Sequence, residues 1–310
     1  MTDWVLSLDK VSKRYGEFTA VADLSLRIPK GAIYGLLGPN GAGKTTTIRM
    51  ILDIIKPSSG SINILGHDCA AAVRHRLGYL PEEKGLYKKM TALNVISYFA
   101  ALKGLDRRTA RQRAGDLLAQ YGLGEFAQNR VESLSKGMSQ KVQVLAAVAH
   151  RPELVILDEP FSGLDPVNQE SLEQLIKNIA AAGGTVIFST HVMQHAERLC
   201  DQFLLVAGGK KIFDGSITAA CSLLPRRILL ESTEDLSQLG LVEGVLHITR
   251  SAHKQREWEV HLQENANPQL ILQTCSQQGI SLDRFDYRQP GLHDVFVHLV
   301  SQEEKGQAEC

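Results

Sequence analysis

Residues 33–51, IYGLLGPNGAGKTTTIRMI, decide the fold. IYGLL is a short apolar run and reads as a buried strand. A glycine-rich turn follows. KTTTIRMILDII then reads as a helix, closed by Pro57 and a Ser-Ser-Gly turn. GPNGAGKTTT, residues 38–47, matches G-x-x-x-x-G-K-[ST], and the strand before it and helix after it supply the context that pattern needs. Gly38, Gly41 and Gly43 let the backbone turn tightly, with Pro39, Asn40 and Ala42 between them. Several N–H groups can then point inward, and with the helix N-terminus they favour phosphate oxygens. Lys44 reaches terminal phosphates, Thr45 offers a hydroxyl to Mg²⁺, and Thr46 can touch a phosphate. A plain glycine turn is the bland alternative; the spacing and both flanks favour the nucleotide.

LVILDE, residues 154–159, supplies a second half. Four apolar residues make a buried strand with carboxylates at its C-terminal end, the edge where open parallel sheets bind ligands. Asp158 is placed to hold a Mg²⁺ shell opposite Thr45, and Glu159 to orient or deprotonate a water. Alone, this pair would read as a capped strand end.

Further out, strand and helix alternate through LVILD, a helix from about 167 to 182, TVIFS, a helix from about 192, and FLLVAGGKKI. That alternation predicts an α/β fold with a mostly parallel sheet. Residues 3–30 read as strands. Residues from about 85 to 150 are mainly helical, with Thr91 as an N-cap. A first domain over 1–219 is followed by a small α+β domain over 225–300 and a tail, 301–310. The chain has 310 residues, 34 Lys+Arg and 34 Asp+Glu, so its bulk charge gives no argument for a nucleic-acid partner, and none is expected. No apolar run approaches the roughly 18–20 residues of a membrane helix. No secretory signal is expected at the N-terminus. The five cysteines are scattered, without a CxxC pair, and read as reduced, non-ligating thiols. His247, His253 and His261 show no metal-ligand spacing.

Taken in order, these pieces and four more resemble the nucleotide-binding subunits of ATP-binding cassette (ABC) transporters, over about residues 4–217. Tyr15 in SKRYG matches the aromatic that stacks on adenine. LSKGM, 134–138, matches the family signature. Ser162, Gly163, Leu164 and Asp165 match the loop that crosses to a partner subunit. His191 in STHVMQHAE matches the switch histidine. The resemblance implies a P-loop ABC ATPase core with a mixed sheet, an antiparallel β subdomain and a helical subdomain. It implies that ATP and Mg²⁺ bind, and that Glu159 and His191 are catalytic. Two such domains, a homodimer, would pair head to tail, so that Ser135, Lys136, Gly137 and Met138 close over ATP held by the other copy.

Two positions depart from the pattern. The usual signature is LSGGQ, and Lys136 and Met138 replace Gly and Gln. Ser135 and Gly137, the usual phosphate donors, remain. In GYLPEE, Glu82 stands where the family has Gln. A carboxylate there can still meet Mg²⁺ but cannot donate a hydrogen bond unless protonated. The segment 82–90, the LSKGMSQKVQ form and the C-terminal domain resemble ATP-binding subunits of prokaryotic ABC-2-type exporters. That implies a separate integral-membrane permease partner and a place on the cytoplasmic face of the inner membrane. The competing reading is a soluble ABC ATPase acting on nucleic acid or ribosomes. Against it, no sustained heptads separate Lys44 from Ser135 and only one phosphate loop is present.

Overall fold

The computed structural model describes residues 4–82, 87–251, 256–263 and 265–308. Two compact units are present, residues 1–216 and 217–310.

The first unit opens with an antiparallel pair, β1 (Trp4–Tyr15) and β2 (Phe18–Pro29). β3 (Ile33–Leu37) leads through the glycine-rich loop into α1 (Lys44–Ile51). β4 (Ser59–Ile64) returns to pair with β1, giving a three-stranded sheet ordered β2-β1-β4. β5 (Leu77–Leu80) precedes three helices: α2 (Ala92–Leu102), α3 (Arg107–Gln120) and α4 (Lys136–Val148). Then come β6 (Leu154–Leu157), α5 (Pro166–Ala181), β7 (Thr185–Thr190), α6 (Met193–Leu199), β8 (Gln202–Ala207) and β9 (Lys210–Gly215). The central sheet runs β5-β6-β7-β3-β8-β9, parallel except for the last hairpin strand.

The sheet has an apolar core on each face, as continuously apolar strands require. Tyr34, Leu36, Leu154 and Ile156 face one core with β1, β2 and α1. Ile33, Val155, Leu157 and Phe188 face the other, with residues from α2 to α5. Alternate residues of one strand thus serve opposite layers. Because β3, β5, β6, β7 and β8 are parallel, their C-termini share one edge, where the loops after β3, β6 and β7 meet.

α1 stops at Ile51, short of the run to Pro57 that the apolar pattern predicts. Asp53 adopts φ +59°, a left-handed conformation that ends the helical path. The helix after His191 has seven residues. Among the described residues, no helix is long and apolar enough to cross a membrane.

The second unit holds α7 (Ile217–Cys221), β10 (Arg226–Glu231), β11 (Val245–Arg250), β12 (Glu257–Leu262), α8 (Gln269–Gln277), β13 (Arg284–Arg288) and α9 (Leu292–Ala308). Its antiparallel sheet is ordered β11-β12-β10-β13. Ile228, Leu230, Trp258, Val260, Ile271 and Cys275 form its own core. His247 stacks on His261 at 4.0 Å between ring centroids; His253 lies outside the described residues. α9 continues through Ala308, into the stretch the sequence reading set apart as a tail. Gln, Glu, Lys and Ala in that stretch are good helix formers, which suits the continuation.

Candidate functional site

The glycine-rich loop is threaded between β2 and β8. A Cβ on Gly38 would lie 2.1 Å from the Val206 carbonyl oxygen, and one on Gly43 2.5 Å from that of Ala20. Only glycine fits between these backbones, and Gly38 and Gly43 also take φ of +152° and +100°. α1 starts at Lys44 with no side-chain cap and no acidic residue in its first turn. Its first N–H groups are thus left for an anion.

A cleft of about 370 Å³ opens here. Asn40 to Thr46 line it, together with Phe18, Ala20, Glu82 and Glu159. Lys44 is 6% exposed. Its ammonium donates to the carbonyls of Gly38 and Pro39, at 2.8 and 3.1 Å, and lies 3.6 Å from Glu159 Oε1. Lys44 therefore sits with its charge over the loop that would hold phosphate.

The β6 carboxylates reach the same edge. Ser189 on β7 ties them together: its hydroxyl donates to Asp158 Oδ1 at 2.5 Å and accepts the Glu159 N–H at 2.8 Å. Asp158 is 1% exposed, and its other oxygen has no hydrogen-bond partner. A buried carboxylate oxygen in that state suits a cation. Glu159 takes φ +46°, left-handed and unusual for a residue with a side chain. That turn carries its carboxylate back into the cleft, where Oε2 lies 3.0 Å from His191 Nδ1. Lys44 at the head of α1, and Glu159 and His191 in the loops after β6 and β7, thus come to one point.

Other predicted residues fall elsewhere. Tyr15 is 51% exposed, with the Lys13 ammonium 5.2 Å from its ring centroid, and it is not among the residues lining the cleft. Phe18, its cross-strand neighbour, does line the cleft. The sequence reading missed Phe18; its place across the Gly16-Glu17 turn from Tyr15 was the available signal. Ser189 was missed too, although a hydroxyl in the apolar run TVIFS is a signal. Glu82 lines the cleft, while residues 83–86 of that segment lie outside the described residues.

Ser135, Lys136, Gly137 and Met138 do not line this cleft. Ser135 caps α4, accepting the Met138 N–H at 3.2 Å. Met138 packs against the helical core. Lys136 lies over Gly163, where any Cβ would collide with its ammonium. Gly137 is covered in turn by Asn168, whose carboxamide would be 2.3 Å from an added Cβ. Asp165 caps α5: it accepts the Asn168 N–H at 2.9 Å, and its second oxygen accepts the Asn168 side chain at 2.6 Å. The start of α4 and the loop into α5 are thus interlocked, side chain over glycine in both directions.

Residues 21–162 match the ABC transporter family, and residues 225–300 match the C-terminal domain of ATP-binding proteins like DrrA1-3. The ABC transporter ATP-binding protein YhaQ of Bacillus subtilis is 38% identical, over 96% of this chain and 98% of that protein. The Nod factor export ATP-binding protein I of Cupriavidus pinatubonensis is 32% identical, over 96% of this chain and 91% of that one. A solved ATP-binding subunit of an ABC transporter superposes with a TM-score of 0.65 at 31% identity, covering 71% of this chain and 92% of that chain. The chain belongs to the ATP-binding proteins of ABC transporters, the subunits that hydrolyse ATP to power transport.

Proposed function

We propose that two copies of this chain bind MgATP between them, head to tail, and drive export through a separate integral-membrane permease. The observation that carries this reading is the split between two half-sites. Lys44, Asp158, Glu159 and His191 gather at one cleft, and the Ser135–Met138 segment is not part of it. A second copy would supply Ser135 and Gly137, at the N-terminus of α4, to the γ-phosphate. Asp165, at the head of α5, would cross with the same loop.

Within one site, the loop N–H groups and Lys44 bind the β- and γ-phosphates, with Thr46 on a phosphate oxygen. Thr45, Asp158 and Glu82 would hold Mg²⁺, which would supply positive charge to the phosphates; the unpartnered Asp158 oxygen suits that role. Glu159 takes up the proton of the attacking water, and His191 fixes Glu159 and the γ-phosphate relative to each other. Catalysis here is positioning and charge stabilisation. Phe18, which lines the cleft, offers ring surface to the base, with Tyr15 next to it across the turn.

The permease finds a groove on the helical side. A cavity of about 390 Å³ is lined by Tyr79, Leu80, Pro81, Phe99, Gln143 and Ala147. Beside it, the exposed rings of Tyr87 and Tyr98 meet edge-on at 5.6 Å. This groove is largely apolar, with Lys103 and His150 also in its lining, and fits an amphipathic helix laid across it. Export as the direction is supported by the Nod factor export relative.

Glu159→Gln tests the reading. The variant is expected to bind ATP, turn over at least about a hundredfold more slowly, and elute as a dimer with ATP in gel filtration. Wild-type turnover in this variant would remove Glu159 from its role, and a monomer at saturating ATP would count against the shared site.

A further inference from the structure

Two buried ionisable groups lie beneath the site and take no part in the chemistry above. Glu173 on α5 is 6% exposed and His195 on α6 is 5% exposed. His195 Nδ1 lies 3.5 Å from Glu173 Oε1, and the largely solvated Arg198 guanidinium lies 3.6 Å from the same oxygen. Neither His195 Nδ1 nor Glu173 Oε1 completes a hydrogen bond in this geometry. Plain packing does not call for such a pair, since buried polar groups without good hydrogen bonds cost stability.

The surroundings say what the pair touches. The His195 ring lies flat on Phe161, with centroids 4.2 Å apart and planes 18° apart. Phe161 follows Glu159 by two residues and meets Phe188 of β7 edge-on at 5.8 Å. β7 ends at Thr190, next to His191, and His191 Nδ1 returns to Glu159 at 3.0 Å. A closed circuit results: Glu159, Phe161, His195, the short chain back to His191, and Glu159 again. Glu173 is its outer anchor, on the helix that Asp165 caps. We propose that His195, packed on Phe161 with Glu173 3.5 Å away, is a positioning residue that sets the distance between His191 and Glu159.

The charges facing His195 come from three elements: Glu173 on α5, Arg198 on α6 and Glu159 in the loop after β6. Burial pushes the imidazole below its ordinary range, against the pull of Glu173. Protonation of His195, at a pH below the ordinary imidazole range, would draw it onto Glu173 and away from its resting contact with Phe161. The circuit then loosens, and turnover falls while nucleotide binding holds.

The inference rests on the roles proposed for Glu159 and His191, so steady-state ATPase kinetics across pH would compare Glu173→Gln, His195→Phe and Glu159→Gln. His195→Phe keeps a ring on Phe161 and removes the titration. Both positioning variants are expected to lower kcat about tenfold and to leave KM for ATP within about twofold, and His195→Phe should change the acid limb of the kcat profile. Combining them should cost no more than the worse single variant. Unchanged kcat and an unchanged pH profile in Glu173→Gln, with Glu159→Gln inactive, would overturn the positioning role alone. An active Glu159→Gln would instead strike the catalytic reading. If His195→Phe fails to fold, Glu173→Gln, which preserves shape, decides the question by itself.

Discussion

His150 illustrates how a single side chain ties stability to pH. Its Nε2 lies 3.0 Å from the Leu77 carbonyl oxygen, and its Nδ1 is buried without a partner. Burial, then the nearby Lys103 charge, pushes its pKa down to about 4. An unfolded chain takes up that proton near pH 6.5. The folded state therefore binds fewer protons, and stability that is full above about pH 6.5 is lost as pH falls toward 4. His195 is shifted in the same direction by burial and adds to the slope. Thermal melts from about pH 7 to 4.5 should show a melting temperature that declines with acid, and His150→Gln should flatten part of that decline. At this scale the sequence was most legible where a motif constrains both residue type and spacing. Lys44, Asp158, Glu159 and His191 meet within salt-bridge or hydrogen-bond reach or through Ser189. Glu173 was hidden because its contacts join α5 to α6, far apart in the chain, while Phe18 and Ser189 left only single-residue signals without a motif around them.

Thr91 caps α2, accepting the Asn94 N–H at 3.2 Å, as a threonine ahead of an apolar periodic run predicts. α2 buries Ala92, Leu93, Val95, Ile96 and Ala100 in the helical core. Thr91→Ala should cost about 1 kcal/mol of stability in chemical denaturation. ATP affinity should stay unchanged, because α2 contributes nothing to the phosphate cleft. Strands such as Leu154–Leu157 were legible because both faces are buried and the residues run continuously apolar. The end of α1 was not, since the apolar pattern runs on through Ile54 and Ile55 while the backbone of Asp53 turns left-handed. Backbone conformation of that kind depends on tertiary packing and leaves no periodic trace.

For the molecule as a whole, the cores set the divisions. Two apolar clusters share the central sheet of the first unit, and a third lies wholly within the second. Every residue lining the cleft lies before Ser216. A chain ending at 216 should fold cooperatively and bind a fluorescent ATP analogue with a Kd within about twofold of the full chain's; loss of binding by the folded fragment would overturn the assignment of the whole nucleotide site to the first unit. The alternation of strand and helix made the parallel sheet readable, and a change of rhythm near 219–225 signalled the second unit. Its sheet order, β11-β12-β10-β13, was beyond reach, because short antiparallel strands with mixed faces do not declare their neighbours. Glu159 holds its φ of +46° against a penalty of about 1 kcal/mol that Asn or Gly would largely escape. Fitness and ruggedness therefore pull in opposite directions at that position: a laboratory lineage bred for heat tolerance alone will drift toward Asn or Gly there, and will grow sturdier as it falls idle.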